Sequence, residues 1–164
     1  MLTQEKLKTK LEYDPLTGLF TWVERFSSRA GKGELAGSVT SHGYISIRIF
    51  GKAYLAHRLA WLYVNGEFPQ FQIDHRDTNK SNNSWTNFRP ATNAQNVMNT
   101  GIRANNKSGH KGVSWYARYQ KWRVGCKADG VRHHLGYFEN IDDAVKAYAA
   151  CAKRIHGEFC HASI

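Results

Sequence analysis

The stretch from Ile73 to Asn96 constrains this chain more than any other. It reads Ile73-Asp74-His75-Arg76-Asp77-Thr78-Asn79-Lys80-Ser81-Asn82-Asn83, then Trp85-Thr86-Asn87-Phe88-Arg89-Pro90-Ala91-Thr92-Asn93-Ala94-Gln95-Asn96. Asn, Asp and Ser side chains bond to nearby backbone and favour tight turns. Residues 76–84 therefore read as an ordered loop between two short strands, near 71–75 and 86–89. Thr92 and Gln95 have capping-box spacing, in which each side chain satisfies the other's backbone N–H. A helix thus begins there, with Asn96 in its first turn. Such a strand–loop–strand–helix unit puts Asp74 and His75 at the end of the first strand and Asn96 on the helix, a candidate metal pocket.

The pattern Asp-His-x-Asp, then Asn82-Asn83, Asn87-Phe88 and Gln95-Asn96 resembles the HNH (ββα-metal) endonucleases, in the branch with phage and intron homing enzymes. The usual form has Gly after the second Asp and Leu after the middle Asn. Thr78 and Phe88 stand there here, and neither change touches the chemistry. The resemblance implies hydrolysis of double-stranded DNA to 5′-phosphate and 3′-hydroxyl; one active site per chain points to a nick, or to a double-strand cut only as a dimer. It implies His75 as general base and Asp74 and Asn96 as ligands of Mg²⁺ or Mn²⁺. It implies that Asn87, the middle Asn, holds the loop or the histidine in place.

The chemistry suits those residue types. A divalent ion stabilises the pentacovalent phosphorus and the leaving oxygen by Lewis acidity. Mg²⁺ keeps several waters, so one carboxylate and one amide oxygen suffice. An imidazole with its ordinary pKa near 6.5 can take a proton at neutral pH. Asp77, Asn82 and Asn83 read as turn-formers. A rival reading is a non-catalytic DNA-binding regulator on a decayed HNH fold, and another is an RNA-directed nuclease or binder; the four intact residues count against the first.

Before this stretch, residues 3–12 read as a helix with Leu7 and Leu11 on one face, and residues 13–18 as a turn. Leu19 to Val23 reads as a strand and 24–35 as a loop. Gly43 to Phe50 alternates as a half-buried strand that turns at Gly51-Lys52 into a second, Ala53 to Ala56. Residues His57 to Val64 form a helix closed by Asn65-Gly66. His57 is assigned a packing role, although a His-Arg-Leu-like helix also precedes the Asp-His strand in the family.

Residues 99–111 lack a hydrophobic period and read as a basic linker carrying Arg103, Lys107 and Lys111. Beyond it the period becomes two. Val113 to Arg118, Trp122 to Lys127 and Val131 to Gly136 read as strands, with a hairpin at Asp129-Gly130. The helix Asp142 to His156 carries an apolar stripe through Ala144, Ala147, Tyr148, Cys151 and Ile155. Trp85 and Trp115 are assigned to core packing.

Lys111-Gly112-Val113, Trp122, His134-Leu135-Gly136-Tyr137-Phe138, Asp143-Ala144, Ala147-Tyr148 and His156-Gly157 resemble the ethylene-response-factor (Apetala-type) DNA-binding domain over residues 108–162. The resemblance implies a sheet laid in the major groove. Ser114 and Tyr116 stand where that family often has basic residues, so no base preference carries over.

The chain carries a formal net charge of +10. Residues 101–164 hold eleven Lys and Arg against five Asp and Glu. A basic third of this kind points to a polyanion, most simply DNA, contacted by Arg103, Lys107, Lys111, Arg118, Arg123, Lys127 and Arg132. The three cysteines, Cys126, Cys151 and Cys160, have no framework spacing and read as thiols of a reducing cytoplasm, the host's if the gene is a phage's. Cys151, His156, Cys160 and His161 lack the paired spacing of a structural zinc site. No apolar run reaches membrane-spanning length.

The expected architecture is α+β: an HNH nuclease domain at 1–100, a basic linker at 101–110, and a three-stranded antiparallel sheet packed on one helix at 111–164. The expected state is a monomer or weak dimer.

Overall fold

Thr3 caps α1 (Gln4–Lys8) by accepting from the backbone N–H of Lys6. The computed structural model, which describes residues 1–25, 31–99, 101–102, 105–128 and 131–159, ends this helix at Lys8. The sequence reading carries it to 12. Leu7 and Leu11 are both fully buried, but Leu11 enters the core from a strand. Two apolar residues four apart fit a helix face equally well in sequence and cannot separate the two cases.

β1 (Leu11–Tyr13) pairs antiparallel with β2 (Phe20–Trp22). Between them Asp14 accepts from the Leu16 N–H and the Thr17 hydroxyl, closing the turn. A second sheet follows in the order β3 (Ser38–Val39), β4 (Ile45–Ile49), β5 (Lys52–Leu55). Alternation puts Ile47 and Ile49 of β4 into the core and leaves Arg48 outside. The helix α2 (Ala56–Asn65) packs Ala56, Leu59, Ala60 and Leu62 inward and ends on Gly66 in left-handed geometry, φ 85°. Then β6 (Gln72–His75) pairs antiparallel with β7 (Phe88–Ala91), which a 3-10 turn at Trp85–Asn87 introduces. The second strand therefore starts two residues later than alternation suggests.

The chain divides into two compact units, Met1–Ala91 and Thr92–Ile164. The division falls before the helix that follows β7, whereas the sequence reading places its boundary after residue 100. The second unit opens with α3 (Asn93–Met98), capped by Thr92 and Gln95 in a reciprocal capping box. Residues 105–110 are not a plain tether. The Asn106 side-chain oxygen accepts from the backbone N–H groups of Ser108 and Gly109, and the Ser108 hydroxyl donates to the Val113 carbonyl at 2.7 Å. Such local bonds leave no hydrophobic period to read.

The second sheet unit runs β10 (Val131–Phe138), β9 (Lys121–Ala128), β8 (Val113–Tyr116), all antiparallel, with a bulge between His134 and Gly136. One face packs Val113, Val124 and Cys126 on Ala144, Tyr148 and Cys151 of α4 (Ile141–His156). Gly112 sits at φ 73° with the Tyr148 ring so close that an added Cβ would lie 2.2 Å from it. Cys126 and Cys151 are buried in this core. Trp115 departs from its expected core position: it is 52 % exposed on the edge strand β8, edge-on to Trp122. Trp85 packs as expected, against Trp61 and Phe88. No helix among the described residues is long and apolar enough to cross a membrane.

Candidate functional site

The short sheet β6–β7 is buried along β6 from Ile73 to His75, so successive residues on opposite faces are both covered. Asp74 stands opposite Arg89 across the sheet, and His75 opposite Phe88. The Arg89 Nε–H donates to Asp74 Oδ2 at 2.7 Å, and Nη2 lies 2.7 Å from the same oxygen as an ion-pair contact, with each side chain only 5 % exposed. Arg89 is the residue of this site that the sequence reading missed. Its signal was the antiparallel register, which sets the residue two beyond Asn87 beside the Asp-His pair.

β6 stops at His75 because the chain turns. The Thr78 N–H bonds the His75 carbonyl at 2.9 Å, and Thr78 takes a left-handed φ of 63°. Asp77 organises the loop that follows. Its carboxylate accepts from the Asn79 N–H and from the side-chain amides of Asn82 and Asn87. Partial burial opposes ionisation of Asp77, but those hydrogen bonds outweigh it and hold its pKa below the usual carboxylate value. Asn87 answers by accepting from the Asp77 N–H at 3.1 Å and donating to the Asn82 carbonyl at 2.8 Å. Its amide bonds thus run to the loop.

The loop is docked as well as self-bonded. Tyr13 donates to the Asn83 carbonyl at 2.7 Å, the Trp85 N–H to the Pro15 carbonyl, and the Ser81 hydroxyl to the Gly43 carbonyl. Gly18, at φ 75°, lies so near that an added Cβ would be 2.2 Å from the Asn83 carbonyl carbon. The first two strands of the chain therefore form a seat for the Asn-rich loop.

His75 is 4 % exposed. Its ring meets the rings of His57 (centroids 5.3 Å, 89°), Phe88 (5.4 Å) and Tyr44 (6.1 Å). Nε2 lies 3.4 Å from the Asn83 side-chain oxygen, whose amide nitrogen donates to the Ser81 carbonyl. Burial lowers the His75 pKa below 6.5; the Asn83 contact, Asp77 and Asp74 oppose that, and the charge of Lys80 adds to it. The imidazole is therefore neutral near pH 7. Asn83, one of the residues expected only to form the turn, is 2 % exposed and faces the histidine.

His57 has the packing position expected of it, on α2 against His75, Tyr44 and Phe88. Its Nδ1 is buried with no hydrogen-bond partner among the described residues. Burial, with the nearby His75 and Arg58, pushes its pKa down to about 3. That shift makes a stability prediction. The unfolded imidazole binds its proton near pH 6.5 and the folded one does not, so stability is full above that pH and is lost as pH falls towards 3. His57 alone contributes a slope of about 1.4 kcal/mol per pH unit in that window. Urea unfolding of the wild type and His57→Phe at several pH values measures it. The variant must show a shallower fall, and an equal slope would refute the assignment.

Asn96 belongs to the second unit, in the first turns of α3, with its N–H on the Thr92 carbonyl at 3.0 Å. Among the described residues no three His, Cys, Asp or Glu side chains gather as a metal cluster. In the first unit Asp74 offers a carboxylate at the end of β6. A carboxylate oxygen suits a hard cation that keeps most of its waters, as Mg²⁺ does.

In the second unit the face of β9 away from α4 carries Arg123 and Lys127, as alternation predicts. Lys127 pairs in register with Arg132, whose guanidinium lies over Gly125. Arg118 stands in the β8–β9 turn beside Tyr119, and Arg123 lies over Tyr116. Tyr116, Tyr119, Tyr137 and His134 form a ring cluster with centroids about 5 Å apart, which the sequence reading did not foresee. Lys107 is exposed and Lys111 half-buried, while Arg103, the Asp129-Gly130 turn, Cys160 and His161 lie outside the described residues.

Residues 54–98 match the HNH endonuclease family. The matched HNH segment runs from β5 through α3 and includes Asp74, His75, Asn87 and Asn96. An uncharacterized HNH endonuclease of Acanthamoeba polyphaga mimivirus is 29% identical over 118 residues, 71% of this chain and 60% of that protein. The chain thus spans about three fifths of its curated relative's length. Among solved structures, the HNH homing endonuclease I-HmuI aligns over 85% of this chain and 78% of its own, at 23% identity and a TM-score of 0.44.

Proposed function

We propose that the chain is a metal-dependent, homing-type HNH endonuclease that nicks double-stranded DNA with its first unit and reads DNA with its second. The observation that carries this reading is His75, a buried imidazole kept neutral beside a carboxylate at the end of a strand. The Asn83 side-chain oxygen accepts from Nε2–H, which assigns the lone pair of the neutral ring to Nδ1. That nitrogen takes the proton of the attacking water. Asp74 is the residue of the first unit that would hold Mg²⁺ or Mn²⁺. When bound, the ion supplies Lewis acidity at the phosphate and the leaving oxygen. Asn87 keeps the loop, and through it Asn83, in place against the imidazole. The protein acts on double-stranded DNA in the cytoplasm, the host's if the gene is a phage's, as a monomer or weak dimer.

The Arg89–Asp74 ion pair favours one rival, a DNA-binding regulator on a decayed HNH fold, because the guanidinium already neutralises the carboxylate. Nicking of supercoiled plasmid by the purified chain with Mg²⁺, with EDTA, and by His75→Ala separates the two. Metal-dependent nicking lost in His75→Ala supports the enzyme. Binding with no nicking in Mg²⁺ supports the regulator.

The second unit is the proposed DNA reader, of ethylene-response-factor (Apetala) type, with the face bearing Arg123, Lys127 and Arg132 towards the DNA. Each phosphate contact removed lowers the slope of log K against log salt by about 0.9. Arg123→Ala with Lys127→Ala is expected to weaken DNA binding and flatten that slope by up to about two such steps, while high-enzyme nicking persists. A salt slope equal to that of the wild type would place the DNA elsewhere.

A further inference from the structure

We infer that Lys80 is a further substrate-contacting residue of this site, its ammonium taking a non-bridging oxygen of the DNA phosphate presented to His75. The inference rests on the nuclease reading above and adds to it a residue outside the Asp-His-Asn pattern.

Lys80 leaves the Asn-rich loop and crosses to the turn between β3 and β4. There Nζ donates to the His42 carbonyl at 3.2 Å and lies 4.8 Å from the centroid of the Tyr44 ring. Tyr44 packs in turn on His57 at 5.3 Å and on His75 at 6.1 Å. The ammonium is thereby held at the rim of the imidazole cluster. Both anchors, a carbonyl and a ring face, orient the charge without cancelling it. Some cations have carboxylates: Lys10 has Glu24, Arg89 has Asp74, Lys121 has Glu139 and Lys146 has Asp143. Lys80 pairs with none among the described residues. A solubilising lysine has no need of two anchors, and its ordering loses side-chain entropy.

A fixed, uncompensated cation beside a neutral base lacks an anion. A DNA phosphodiester supplies one with a single charge, and its negative charge gathers further on the non-bridging oxygens as water attacks. A donor already in place for that charge stabilises the transition state more than the ground state. The loop bonds of Asp77, Asn82 and Asn87 hold the backbone from which Lys80 projects. This gives the ordered loop a chemical reason as well as a folding one.

The test is single-turnover nicking of supercoiled plasmid by the full chain in Mg²⁺ at saturating enzyme, for Lys80→Ala, Lys80→Met and Lys80→Arg, with plasmid affinity measured in parallel. Lys80→Ala and Lys80→Met are expected to lower the saturating rate about 100-fold. Their affinity should stay within about threefold, as the loss of one phosphate contact among many allows. Lys80→Arg keeps the charge and is expected to retain a rate within about tenfold of the wild type. Lys80→Met keeps the stem over Tyr44, so it decides the matter if Lys80→Ala unfolds. Wild-type saturating rates in both neutral variants would overturn the inference, as would a loss confined to affinity. His75→Ala in the same assay separates the failures. Nicking that survives His75→Ala, or a wild type that does not nick, removes the nuclease reading and this inference with it. An inactive His75→Ala beside a fully active Lys80→Ala removes the inference alone.

Discussion

Replacing His75 with alanine is expected to lower the single-turnover rate of plasmid nicking by about 10²–10⁴-fold, the usual contribution of a positioned general base. DNA affinity should change by no more than about threefold, because the buried ring acts on water and carries no charge to meet phosphate. The expectation follows from the site's construction. His75 is held between His57, Phe88 and Tyr44, and burial lowers its pKa. A base with a lowered pKa stays unprotonated further into acid, so the wild-type rate should hold through pH 6.5 and fall only below it. Single-turnover rates from pH 5 to 8, at fixed Mg²⁺, check this. Full activity in His75→Ala, in protein free of contaminating nuclease, would sink the assignment. A midpoint above 6.5 would contradict the environment described for the ring.

Arg89→Met is expected to cost about 3–5 kcal/mol of stability, the largest loss from any single substitution considered. The substitution keeps most of the side-chain volume but removes the Nε hydrogen bond and the Nη2 ion-pair contact to Asp74 Oδ2. Asp74 is 4 % exposed, so its carboxylate would remain buried without its cation. A buried ion pair adds little net stability over an apolar pair, yet breaking one side of it is severe because the other charge is stranded. Adding Asp74→Asn to Arg89→Met should therefore recover part of the loss, since no net charge then stays buried. Urea unfolding of the wild type, the single variant and the double variant measures all three. A loss under about 1 kcal/mol for Arg89→Met would show that the pair behaves like a surface ion pair.

Much of the arrangement was legible before any coordinate. The Asn-rich loop, the capping box at Thr92 and Gln95, the amphipathic α4 and the alternating face of β9 all follow from local rules, in which a residue's type and its near neighbours decide the outcome. The same locality explains the errors. Helix α1 ends early because the fate of Leu11 depends on Trp22, its partner across the sheet. Trp115 is exposed because β8 is an edge strand, and strand order is not written in a strand's own residues. The turn at Asn106 was passed over as linker because its bonds join polar groups that carry no period.

By itself the sequence determined which residues can do chemistry: an Asp-His pair, a spaced set of asparagines and a basic, alternating C-terminal third. What the tertiary structure alone decided is the environment that gives those residues their properties. Whether His75 is neutral depends on Phe88 and His57, brought to its ring from other elements. Whether Asp74 stands alone depends on Arg89, fifteen residues away in the chain and opposite it in the sheet. The loop's seat depends on Tyr13 and Gly18 at the other end of the first unit. Hydrogen-bonding capacity belongs to a residue's type, whereas burial and partner charge are sums over neighbours that only the folded chain assembles.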